Sequence, residues 1–140
     1  MRKIIISVFV LGISFGIFSY VTRLESNDLM GEITIELVSE DGSISVEVFD
    51  FDIEDTLFGI LEDNYIVFCA DSGYNKSDSC NSLLYGSRVI LQIEDIETDW
   101  NNTFLAIYEN DLKSNYGIDS LVLNDGDYFR FEYTEVGDIN

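Results

Sequence analysis

Short runs of alternating hydrophobic and polar residues recur along most of this chain. Ile33, Ile35 and Leu37 alternate with Thr34, Glu36 and Val38, and Ile44, Val46 and Val48 alternate with Ser45 and Glu47. A period of two predicts half-buried strands. Glu40-Asp41-Gly42 between them supplies a turn, with a glycine that tolerates positive φ, so residues 33–48 read as a hairpin. The period then changes. Between Asp52 and Asn64 the apolar residues Ile53, Leu57, Phe58, Ile60 and Leu61 fall at i, i+4, i+5, i+7 and i+8, which predicts a helix with one buried stripe. Asp52 reads as its N-cap and Asn64 as the left-handed residue that ends it, with Glu54 and Asp55 where the helix dipole favours acids.

The period of two returns after the helix. Residues 65–69 are an aromatic and β-branched run, and Val89, Leu91 and Ile93 alternate with Ile90, Gln92 and Glu94. Residues 98–102 form a polar turn around Trp100, the single tryptophan, and residues 104–108 an aromatic strand. A closing hairpin is expected to pair residues 121–123 with residues 129–133 across Asn124-Asp125-Gly126-Asp127. A hairpin, a helix and further strands make an α+β domain, β-grasp-like, with a single mixed sheet and one helix.

The N-terminus follows a different rule. Met1-Arg2-Lys3 precedes an uncharged run over residues 4–21, a basic start and 18 apolar or small residues, long enough to cross a bilayer or to act as a signal peptide. The cation bias places that end in the cytoplasm and the remainder outside. Residues 1–24 are therefore read as either a cleaved signal peptide or an uncleaved membrane anchor, residues 25–32 as a spacer, and residues 33–140 as one extracytoplasmic domain.

Charge narrows the choice of partners. All 27 Asp and Glu residues follow Arg23, where only Lys76, Arg88, Lys113 and Arg130 oppose them, giving that part a net −23. Such a surface repels nucleic acid and anionic headgroups. Cys69 and Cys80 bracket a polar, turn-rich stretch and, outside the cytoplasm, are expected to form a disulfide. The chain has no His, and no Ser has a base in recognisable spacing, so neither an enzyme nor a metal site is expected. Asn124-Asp125-Gly126-Asp127 and Asp50-Phe51-Asp52-Ile53-Glu54-Asp55 resemble fragments of calcium loops, but neither completes the EF-hand pattern, and turn chemistry accounts for both.

Several tracts together resemble the transcobalamin-like C-terminal domain family. These are Thr56-Leu57-Phe58-Gly59-Ile60-Leu61, the glycine-led strand from Tyr85-Gly86-Ser87 to Ile93, the aromatic strand from Phe104 to Asn110, Tyr116-Gly117-Ile118-Asp119-Ser120, and the closing Asp-Gly-Asp and aromatic strand. The resemblance spans about residues 33–136. Phe104 stands where the family has Tyr-Trp, and Asp111 where it has Gly. It implies a β-grasp module that covers one face of a corrin ring, and it carries over Phe104, Tyr108 and Asn110 as contact residues. Trp100 and Tyr116 join them as aromatics near turns, where outward rings supply contact area at low entropic cost. The expected role is an extracytoplasmic binding module, accessory to uptake of a small corrinoid-like molecule. The alternative is a structural or adhesive surface protein without a small-molecule site. The expected partners are the membrane, through the N-terminal segment, and a small ligand or cell-surface protein.

Overall fold

The alternating runs build two sheets. The computed structural model describes residues 29–138. Strands β1 (Leu29–Val38) and β2 (Ile44–Asp52) form the expected hairpin, with Ile33 opposite Phe49 and Leu37 opposite Ser45. Then follow α1 (Leu57–Asn64), β3 (Val67–Ala70), β4 (Lys76–Ser77), β5 (Ile90–Ile93), β6 (Ile96–Glu97), β7 (Thr103–Glu109), β8 (Leu112–Lys113), a 3-10 turn at Ile118–Ser120, and β9 (Tyr128–Glu135). The first sheet has the order β2-β1-β9-β7-β8 and the second β4-β3-β5-β6. The domain is α+β, and the single sheet expected from the sequence is corrected to two. The reason lies in pairing length: β6, an edge of the second sheet, is only two residues long, whereas β9 pairs with all seven residues of β7.

The closing hairpin is also corrected. β9 lies parallel to β1, with Ile35 opposite Phe129, and antiparallel to β7, with Ile107 opposite Phe131. Both of its edges are occupied, so residues 121–123 run without a ladder partner. The Asn124 to Asp127 turn docks on β1 instead. Asp125 Oδ1 accepts from the Glu32 amide at 3.0 Å, and the Gly126 amide donates to the Glu32 carbonyl at 2.8 Å. Only a glycine fits opposite, because a Cβ at Gly31 would fall 2.4 Å from Asp125 Oδ1.

The helix starts one turn later than its apolar spacing predicts. Thr56 caps it, its hydroxyl accepting from the Gly59 amide at 3.0 Å. Asp52 organises the preceding turn, accepting from the Glu54 amide at 2.8 Å, while the Asp55 carboxylate accepts from the Asp52 amide. Ile53 consequently stands 80% exposed. Asn64 stays helical and donates to the Ile60 carbonyl, and the chain leaves the helix extended at Tyr65.

Leu57, Phe58, Ile60 and Leu61 of α1 pack onto Ile33, Ile35, Leu37, Phe129 and Phe131 of the first sheet and Cys69 and Ile93 of the second. Each such buried side chain contributes about 1.5–3 kcal/mol. Among the described residues the buried members of this core lie between Ile33 and Phe131, and the Cys69–Cys80 disulfide, with Cα atoms 5.1 Å apart, lies within it. No helix among the described residues is long and apolar enough to cross a membrane. The expected signal or anchor of residues 1–24 lies outside the described residues.

Candidate functional site

A cleft of about 360 Å³ opens at the seam between the two sheets. One wall is β7 from Phe104 to Ile107, the other is the segment leading into β5, and the loop after β8 closes one end. Phe131 of β9 reaches its floor. Three local structures aim aromatic side chains at its rim.

The first is the turn at Tyr85 and Gly86. The amides and carbonyls of Leu84 and Ser87 bond across it in both directions, and both central residues have positive φ, 57° and 83°. This is the mirror-image turn whose twist suits a hairpin; glycine adopts it freely and tyrosine at a cost. The tyrosine is 87% exposed. Its hydroxyl lies 2.9 Å from that of Tyr74, which also has positive φ. Tyr74 is held in turn by Asp71, whose Oδ1 accepts from the Gly73 and Asn75 amides at 2.8 and 2.9 Å. Those bonds keep the Asp71 carboxyl below its usual range, the Asn75 amide contributing most.

The second is the crossover from β6 to β7. Asp99 Oδ1 accepts from the amides of Asn101, Asn102 and Thr103 at 3.0, 2.8 and 3.0 Å, while Asn102 Nδ2 donates to Oδ2. The carboxyl is thereby held far below the ordinary range, chiefly by the Asn102 amide. This knot fixes Trp100 at φ 62°, 39% exposed, on the cleft rim.

The third is the loop after β8. The Ser114 hydroxyl accepts from the Tyr116 amide at 3.0 Å and donates to the Tyr116 carbonyl, which leaves the Tyr116 ring 70% exposed at the rim. Gly117 then packs on Ser87, whose Oγ donates to Asp119, and Arg88 pairs with Asp119 at 2.9 Å.

The structure therefore brings Trp100, Phe104 and Tyr116 to one cleft and leaves Tyr108 and Asn110 outside it. The Arg130 guanidinium lies 4.1 Å above the Tyr108 ring, on the face of the sheet turned away from the core. Asn110 extends the β7–β9 ladder. Its amide donates to the Tyr128 carbonyl at 2.8 Å, its Oδ1 accepts from the Tyr128 amide at 2.9 Å, and its Nδ2 donates to Asp127 at 3.0 Å. Asn110 and Asp111 both take positive φ, 50° and 67°, the backbone of a tight two-residue turn. In the run 124–127, Asp127 Oδ2 accepts from the Asn124 amide and Asp125 from that of Glu32, and in the run 50–55 the Asp52 and Asp55 carboxylates accept from the amides of Glu54 and Asp52.

Tyr85 and Lys113 are cleft residues that sequence reasoning missed. Tyr85-Gly86 carried a local signal, since a residue before Gly between two short apolar runs marks a two-residue turn that displays its first side chain. Lys113 carried none. Its ammonium lies 5.3 Å from the Phe104 ring centre, a contact between β8 and β7 that depends on their register.

No family model and no curated protein matches this chain. Among solved structures it is similar to one from Ruminococcus gnavus described as a "putative metal binding protein", at 23% identity and a TM-score of 0.56, over 75% of this chain and 97% of that one. That likeness establishes the fold. Among the described residues no three Cys, Asp or Glu side chains converge as a metal site would require.

Proposed function

We propose that this chain is an extracytoplasmic binding module whose cleft takes a small ligand with a flat, apolar face, as an accessory to uptake. The observation that carries the reading is the rim. Tyr85 and Trp100, and Tyr74 behind them, are aromatics at positive φ, a conformation costly for bulky side chains and sustained only where the surroundings impose it. The rings of Tyr85 and Trp100, with those of Tyr116 and Phe104, border one concave, mostly apolar surface, and Tyr74 meets Tyr85 hydroxyl to hydroxyl. The internal disulfide fits an oxidising compartment. The order β2-β1-β9-β7-β8, with β1 and β9 parallel at its centre and α1 after the first hairpin, supports the β-grasp reading of the first sheet. A corrinoid-like ring suits a cleft of this size as a face or edge to be covered, with a second protein completing the enclosure. The metal binding ascribed to the Ruminococcus gnavus protein has no counterpart cluster among the described residues here.

A second reading, adhesion through the sheet surface, draws on Ile44, Val46 and Val48, which stand exposed in one row along edge strand β2. Thermal-shift titration of residues 26–140 against corrinoids, haem and calcium, with a chelator control, separates the two. A melting temperature that rises with ligand concentration, and no longer does so in Trp100→Ala and Tyr116→Ala, supports the cleft. No shift with any of these ligands favours adhesion.

A further inference from the structure

We infer that the molecule taken by the cleft carries an anionic group, a carboxylate, sulfonate or phosphate, paired by Lys113; this rests on the cleft being the binding site. The charge of the lining points to such a group. At the chain's mean acid density, 27 in 140, a wall of 18 residues would carry three or four Asp or Glu, and this one carries none. Two of the four cations beyond Arg23 are in it, Arg88 and Lys113.

Their situations differ. Arg88 is committed, its guanidinium 2.9 Å from Asp119 and stacked 4.1 Å from the Phe58 ring. Lys76 and Arg130, outside the cleft, are also paired with carboxylates. Lys113 has no carboxylate within the 4.0 Å of an ion pair among the described residues, in a chain where acids outnumber bases 27 to 7. Its ammonium sits over Phe104, where the ring face holds a cation without neutralising it.

A flat ligand resting on Trp100 and Tyr116 can place an anionic substituent beside that ammonium. The domain's long-range field opposes the approach of an anion, but it is screened beyond about 8 Å at physiological salt, whereas a contact pair is not. The apolar wall supplies affinity, and the acid-free lining with one uncommitted cation supplies selectivity.

Two fluorescent probes with the same skeleton test this: 8-anilinonaphthalene-1-sulfonate, an anion, and N-phenyl-1-naphthylamine, which is neutral. Each is titrated into residues 26–140, which contain every described core residue, and read by energy transfer from Trp100, the only tryptophan. The sulfonate should bind about tenfold tighter than the amine, the scale of one partly screened charge-assisted contact. Lys113→Gln should remove that advantage and leave the amine unchanged, and Lys113→Arg should keep it. Transfer to both probes with equal affinity, or no effect of Lys113→Gln on the sulfonate, would overturn the anion assignment and leave the cleft standing. Absence of transfer to either probe would overturn the cleft itself, and this inference with it.

Discussion

The hydroxyl of Tyr74 lies 2.9 Å from that of Tyr85, and this bond ties the loop closed by Cys69 and Cys80 to the rim of the cleft. The bond favours the neutral phenol and raises the Tyr74 pKa. Replacing both cysteines by Ala should therefore act twice. Reopening a loop of about 12 residues should cost roughly 3 kcal/mol in chemical denaturation. It should also weaken binding of the cleft probes. Tyr74→Phe should reproduce the weaker binding and leave the denaturation midpoint nearly unchanged. Equal binding in Tyr74→Phe and the parent would show that the brace is without effect on the site.

Gly117 lies against Ser87 with no room for a side chain between them. A Cβ built on Gly117 falls 2.3 Å from both Cβ and Oγ of Ser87, although the glycine's own φ of −72° is open to any residue. Gly117→Ala should thus destabilise by overpacking, by about 1–3 kcal/mol, and Ser87→Gly in the same chain should recover part of the loss. Unfolding curves of the two single variants and the double variant decide it.

Asp99 gives an acid-side signature. Its pKa is depressed in the folded state, so its contribution is present above the unfolded value near 4 and is lost as pH falls through the folded one. Asp99→Asn should lower the melting temperature at about pH 6, and the difference from the parent should shrink steadily below about pH 4. Trp100 emission should follow the same course, because the carboxylate holds the turn that places it. A constant difference across that range would mean that the charge of Asp99 is not what holds the turn.

On the alkaline side Tyr128 donates its hydroxyl to the Glu36 carboxylate, which pushes its pKa up to about 12. Burial, reinforced by Glu47, raises that of Tyr65 as well. A raised folded pKa contributes stability that is intact below the unfolded value near 10 and is lost as pH rises through the folded one. Stability should fall between about pH 10 and 12, with a late class of phenolate absorbance. Glu36→Gln should move one tyrosine out of that class into the ordinary one. An unchanged titration would contradict the Tyr128 assignment.

Local chemistry made part of this protein legible in the sequence. The β1–β2 hairpin, the buried stripe of α1 and the aromatic strand β7 follow from periodicity and turn residues within a few positions of one another, and the disulfide from two cysteines beyond a leader-like segment. What failed depended on distance along the chain. Leu121, Val122 and Leu123 carry strand chemistry, yet β9 takes β1 and β7 as neighbours because Phe129 and Phe131 then bury against Ile33, Ile35 and Leu105. The start of α1 was settled by a single hydroxyl, on Thr56, against an equally plausible Asp52. The cleft is assembled from segments near Tyr85, Trp100, Phe104 and Tyr116 that meet only once the two sheets are packed. The sequence by itself determined which residues turn and which alternate, since those preferences are paid within one or two peptide units. Which strand edges meet, and which aromatics face a common space, was decided by long-range burial that the tertiary structure alone expresses.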